Sequence, residues 1–172
     1  MRRHVLLVGL PGSGKSTVGQ LVADGLGAPL LDIDNILVRQ MGMPIAQIFG
    51  MVGETRFRQM ERDAVNTAQA REPAVIVPGG GWAAQPGQLE ASRAASLSIY
   101  LKVRAETAAR RSQQGEIRPL LAGNDPVQLV RGLLTAREPF YKLAAYEVSA
   151  DVKPAAAVAQ EVITLAQAHG GW

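Results

Sequence analysis

Near the amino terminus, Gly9-Leu10-Pro11-Gly12-Ser13-Gly14-Lys15-Ser16 satisfies the pattern G-x-x-x-x-G-K-[ST], with an apolar run before it and a helical pattern after it. Glycines in this pattern let successive backbone N–H groups turn inward onto an anion, and a helix starting at the end of the loop adds its positive pole. The chemistry implied is the cradling of nucleotide phosphates. Lys15 would reach the β- and γ-oxygens, Ser16 would ligate Mg²⁺, and Gly12, Ser13, Gly14 and Thr17 would complete the ATP contacts. A chance Gly-rich turn would not bring strand, spacing and helix into agreement.

A phosphate loop of this kind needs a carboxylate on the metal side. The apolar run Ala74-Val75-Ile76-Val77 ends in Pro78-Gly79-Gly80-Gly81 and supplies none. Leu30-Leu31-Asp32-Ile33-Asp34 instead sets two carboxylates on one side of an extended segment. Asp32 is the candidate metal-side acid. Asp34, roughly 6 to 7 Å further along, suits contact with an acceptor hydroxyl as orienting group or base. The competing reading is helix capping ahead of residues 35–40, which fits Asp34 but needs only one acid.

Three further groups could form an acceptor pocket. Glu54, Arg58 and Glu61 fall near one helix face at i, i+4 and i+7, which by itself suits a surface ion-pair ladder as well as a site. Three consecutive glycines at 79–81 are conformationally expensive unless a ligand or another chain segment must approach closely. Arg118 stands beside Pro119 in an irregular stretch of the kind that forms lids, and Arg137 precedes Pro139 and Tyr141.

The elements that must position these groups follow from periodicity. Short β-rich runs at 4–8, 29–33, 74–77, 97–101 and 146–149 alternate with helical patterns at 15–25, 35–40, 54–71, 105–113, 126–143 and 155–168. That alternation predicts an α/β fold, a parallel sheet with helices on both faces. The length of 172 residues suits a single domain, 1–172, with a mobile lid at about 113–125.

Composition narrows the function classes. Hydrophobic residues make up 47% and charged residues 19%, and no apolar stretch approaches a membrane span, so a soluble chain without membrane partners is expected. The net charge of +3 is scattered, without a basic run or interleaved aromatics, so no nucleic-acid partner is expected. No export signal is visible, and the absence of cysteine rules out disulfides and thiol chemistry and permits a reducing compartment; the cytoplasm is the expected location. The methionines, His4 and the alanine-rich final helix suit packing and surface.

Taken together, GLPGSGKSTVG, LLDID, the stretch from Ile48 to Glu61, GGG at 79–81, RPLLAG from Arg118 and Arg137-Glu138-Pro139-Phe140-Tyr141 resemble the shikimate kinase family in order and spacing along the whole chain. The resemblance implies a three-layer P-loop kinase fold with a five-stranded parallel sheet of order 2-3-1-4-5, and ATP-dependent phosphorylation of a hydroxyl of shikimate, giving shikimate 3-phosphate in aromatic amino acid biosynthesis. It implies that Asp34, Arg58, Gly80 and Arg137 hold the acceptor, with Gly79 and Gly81 shaping the same wall, in a helical region at about 34–62. Lys15 and Arg118 would handle the transferring phosphoryl group, Ser16 and Asp32 the Mg²⁺, Arg110 the adenine, and Lys153-Pro154 part of its loop. The expected partners are ATP and shikimate, and the expected acting unit is a monomer. Val38 departs from the family's usual Glu, Pro78 and Trp82 from its small or aliphatic residues, and Val148-Ser149-Ala150-Asp151 from its usual adenine loop. The alternatives are a gluconate-type kinase and a nucleotide-binding regulatory module without catalysis.

Overall fold

A computed structural model describes residues 1–112 and 125–172 of the chain. Strand β1 (His4–Val8) is buried along its whole length, as its unbroken apolar run requires of a strand covered on both faces. It lies at the centre of a five-stranded sheet of order β2-β3-β1-β4-β5, with β2 (Leu30–Asp32), β3 (Val75–Val77), β4 (Ser96–Lys102) and β5 (Tyr146–Ser149). Every pairing is parallel, as expected from the alternating pattern.

This order decides where chemistry can occur. The loops leaving β1, β2 and β3 emerge side by side at the carboxyl edge, and the register that pairs Asp32 with Val77 sets the acid next to the start of the glycine run. Sequence-distant motifs thereby become neighbours.

Helices α1 (Lys15–Leu26), α2 (Ile33–Met41), α4 (Glu54–Gln69), α6 (Ala105–Arg111), α7 (Pro126–Tyr141) and α8 (Ala155–His169) occupy the predicted segments within a few residues. Two helices were not anticipated, α3 (Ile45–Val52) and α5 (Gln88–Ser92). Both are short, eight and five residues, too brief for a helical period to be told from a loop. Asp32, and not Asp34, caps α2: its side chain accepts from the Asn35 N–H at 3.2 Å. Among the described residues, no helix is long and apolar enough to cross a membrane.

The core includes Phe57, Trp82, Tyr100 and Tyr141, each at most 1% exposed. His4 is also buried and structural: its Nδ1 accepts from the Ala74 N–H at 3.1 Å, which leaves Nε2–H to donate to the Gln69 carbonyl at 3.1 Å. The ring thus ties the end of α4 to the first residues of the sheet.

Candidate active site

The loop between β1 and α1 bends through Gly12 at φ 81°, and a Cβ there would run into Ser112 Oγ and the Ala108 carbonyl. Only glycine lets α6 close over the loop this tightly. Lys15 is folded back against its own loop, its Nζ donating to the carbonyls of Gly9 at 2.7 Å and Leu10 at 2.8 Å. The ammonium is therefore held at the mouth of α1, where the helix dipole already favours anions.

Ser16 Oγ donates to Asp32 Oδ2 at 2.7 Å, bringing together two hard oxygens from the first turn of α1 and the end of β2. Asp32 thus serves two purposes, capping α2 with one oxygen and meeting Ser16 with the other. Asp34 turns instead toward the glycine run: a Cβ on Gly79 would lie 3.1 Å from Asp34 Oδ1 and 2.8 Å from Glu61 Oε1.

The same wall receives Arg58 and Arg137, two of the arginines singled out in the sequence. A Cβ on Gly81 would lie 2.5 Å from Arg58 Nη2, and one on Gly80 would lie 3.1 Å from Arg137 Nη1. All three glycines are therefore close-approach positions, and no side chain fits there without moving a charged group. Arg58 donates to Glu61 at 2.7 Å, with side-chain exposures of 11% and 1%, and its guanidinium lies 5.6 Å from the Phe57 ring centre and 6.0 Å from that of Phe49. The surface-ladder reading of Glu54, Arg58 and Glu61 fails accordingly: Glu54 is exposed, whereas the other two form a buried pair. Among the described residues, Arg137 Nη1 is buried without a hydrogen-bond partner. A buried guanidinium nitrogen in that state calls for an anionic oxygen.

Gly12, Lys15, Ser16, Asp32, Asp34, Gly79 and Gly80 line a cleft of about 520 Å³, whose lining does not include Arg58 or Arg137. An adjoining hollow of about 270 Å³ shares Gly14, Thr17 and Arg111 with it and is completed by Ser13, Lys153 and Pro154 among others. Arg111, and not Arg110, lines both spaces, donating to the carbonyls of Ala150 at 3.2 Å and Asp151 at 3.4 Å. Successive residues on a helix project about 100° apart, so the one-residue difference carries Arg110 away to solvent. Nothing in a tandem Arg-Arg distinguishes the two by sequence. A separate hollow of about 380 Å³ between α2 and α4, lined by Leu31, Met60 and Ala64, contains none of the phosphate-loop groups.

Arg118 and nearly all of the expected lid fall outside the described residues. Pro78 lines the cleft, whereas Trp82 is 1% exposed and packs in the core behind it. Val38 is half-buried on α2. In the altered loop after β5, Asp151 accepts from the Arg104 N–H at 2.7 Å, so the departure from the family's loop comes with its own anchor to the start of α6.

A parallel sheet of order 2-3-1-4-5 with a phosphate loop after its central strand defines a P-loop kinase fold. Comparison with known proteins narrows this. A family model described as shikimate kinase matches residues 11–167. Among curated relatives, shikimate kinase from Moorella thermoacetica is 39% identical over 162 residues, 94% of this chain and 93% of that one. Shikimate kinase from Mycobacterium tuberculosis is 38% identical over 168 residues, 97% and 95% of the two chains. Among solved structures, shikimate kinase from Acinetobacter baumannii in complex with shikimate matches with a TM-score of 0.90 and 32% identity over 98% of this chain and 94% of that one. The chain belongs to the shikimate kinase family.

Proposed function

We propose that Lys15, Ser16, Asp32 and Asp34 carry the phosphoryl transfer while Arg58 and Arg137 read the acceptor across the glycine wall. The reaction is that of the family, ATP-dependent phosphorylation of a hydroxyl of shikimate to shikimate 3-phosphate on the route to the aromatic amino acids. The single observation that supports the acceptor assignment best is the buried Arg137 Nη1 over Gly80, which has no hydrogen-bond partner among the described residues, with Arg58 against Gly81 on the same wall. Two guanidinium groups from different helices suit a planar carboxylate, which they bind through charge-assisted hydrogen bonds.

In this reading the phosphate loop and Lys15 fix the ATP phosphates, and Asp34 orients the acceptor hydroxyl and takes its proton. Ser16 and Asp32, with hard oxygens 2.7 Å apart at the edge of the cleft, fit a Mg²⁺ site. The ion, when bound, neutralises charge on the phosphate oxygens. Arg111 and Lys153-Pro154 face the nucleobase, and Arg118 is assigned to the transferring phosphoryl group on the family pattern. The segment at 34–62 is the acceptor-binding region, as Asp34, Arg58 and Glu61 all come from it. We assign a monomer as the acting unit, and with no cysteine to protect or pair the cytoplasm is the compartment we assign.

The experiment is a coupled ADP-release assay with purified protein, MgATP and shikimate, quinate, gluconate or buffer alone. Shikimate should raise the rate far above buffer and gluconate should not. Equal rates with and without every acceptor would overturn the reading.

A further inference from the structure

Tyr141 follows Arg137 by one helical turn on α7, so the two side chains project from the same face of the helix. Both arrive at Gly80. The Tyr141 hydroxyl donates to the Gly80 carbonyl at 2.7 Å in a buried hydrogen bond, and Arg137 Nη1 stands against the Gly80 Cα, 3.1 Å from where a Cβ would be. Pro11 of the phosphate loop meets Gly80 at the same place, 2.7 Å from that Cβ position. The absent side chain thus leaves room for both the phosphate loop and an arginine, while Tyr141 holds the Gly80 carbonyl.

A second phenol braces this arrangement. Tyr100 of β4 packs against Tyr141 with ring centres 5.2 Å apart, and its hydroxyl donates at 2.7 Å to Glu138, the residue after Arg137. Burial first, and then the Glu138 carboxylate, raise the Tyr100 phenol far above its ordinary range, so it remains a donor throughout the working pH range. The last turn of α7 is accordingly tied to β4 through Glu138 and to the glycine wall through Tyr141.

We propose that Tyr141 is a positioning residue for the acceptor: its hydroxyl fixes the peptide between Gly80 and Gly81 and, through the shared helix face, the distance from that wall to the Arg137 guanidinium. The peptide group is planar and trans, so a carbonyl held by Tyr141 also fixes the direction of the Gly81 N–H. Without that bond the wall and Arg137 are free to shift relative to each other. The phosphate loop has separate supports, Lys15 on the Gly9 and Leu10 carbonyls and Ser112 Oγ at 3.1 Å from the Pro11 carbonyl, and does not depend on Tyr141. The proposal rests on the assignment of Arg137 to the acceptor.

The test is steady-state kinetics with full-length protein, MgATP and shikimate. Tyr141→Phe keeps the ring and removes the donor; it should raise shikimate KM about tenfold while ATP KM moves by less than about twofold. Tyr100→Phe removes a buried hydroxyl that braces the same turn but leaves the Gly80 bond in place, and should raise shikimate KM clearly less than Tyr141→Phe does. Equal effects of the two variants, or equal effects of Tyr141→Phe on both substrates, would mean that Tyr141 only stabilises the fold. To separate donor from volume, p-aminophenylalanine and p-fluorophenylalanine at position 141 provide a pair of similar size in which only the first donates. The amino variant should keep the parent's shikimate KM and the fluoro variant should raise it; identical values overturn the proposal. A parent that fails to use shikimate at all would overturn the acceptor assignment itself, a different result from a parent that works and a Tyr141 series that is flat.

Discussion

The phosphate loop and the glycine wall face each other across one cleft, yet they are built in opposite ways. The loop runs from Gly9 to Ser16 and holds its own lysine with its own carbonyls. The wall at 79–81 has no charged group of its own and receives them from α2, α4 and α7, with Tyr141 bonding Gly80 across 61 positions of sequence. A local device tolerates change elsewhere in the fold, while a convergent one depends on several helices keeping their places. Nucleotide and acceptor binding should therefore respond separately to substitution.

The largest separation is expected between the two aspartates. Asp34→Asn should lower kcat by about 10²- to 10⁴-fold, the range for a general acid–base group, with ATP KM little changed. Asp32→Asn should in addition alter the magnesium dependence, because it removes the partner of Ser16. Magnesium titrations of both variants check this, and identical profiles would mean that the two acids do not divide the work as proposed.

Next in size is the arginine on the wall. Arg137→Lys keeps the charge but loses the fork; hydrogen bonds to charged groups are worth roughly 1.5 to 3 kcal/mol each, so shikimate KM should rise by about ten- to several-hundred-fold with ATP KM much less affected. A shikimate analogue with its carboxylate reduced to an alcohol should be a poor substrate for the parent and lose little more in Arg137→Ala. Additive losses would show that the residue and the carboxylate do not meet.

A pair of glycine substitutions sharpens the comparison directly. Gly12→Ala meets both a left-handed φ and the Ala108 carbonyl, so ATP KM should rise about tenfold and stability should fall by about 1 to 3 kcal/mol. Gly81→Ala meets the Arg58 guanidinium first, so shikimate KM should rise about tenfold. Kinetics on both substrates together with thermal melts read this out, and the same pattern from both variants would erase the distinction between loop and wall.

The smallest effect lies away from the cleft, where Arg131 on α7 pairs with Glu106 on α6 at 2.6 Å. A hydrogen bond from its own backbone N–H in the first turn of α6, followed by Arg131, holds the Glu106 carboxyl below its ordinary value of 4.5. A lowered folded pKa adds stability above the unfolded value that is lost as pH falls through the folded one. The melting-temperature gap between parent and Glu106→Gln should thus be small at neutral pH, as suits an exposed pair, and close on acidification below about pH 4. A gap that widens in acid would contradict this.

By itself the sequence determined the parallel sheet, the phosphate loop and the helix that follows it, because each depends on near neighbours: apolar periodicity, glycine spacing and a start signal within one turn. The acceptor roles of Arg58 and Arg137 came from the resemblance of the motifs to the family, since by spacing alone Arg58 suited a surface ladder as well as a site. The sequence did not reveal α3, whose eight residues are too few to set against the glycines and proline around them, and the resemblance named Arg110 where Arg111 lines the cleft. Tertiary structure decided that Asp32 both caps α2 and meets Ser16, and that Trp82 packs behind the cleft. It likewise joined Tyr141 to Gly80. These are contacts between elements, fixed by how the helices pack around the sheet, and no spacing along the chain encodes a distance between two faces that meet only after folding.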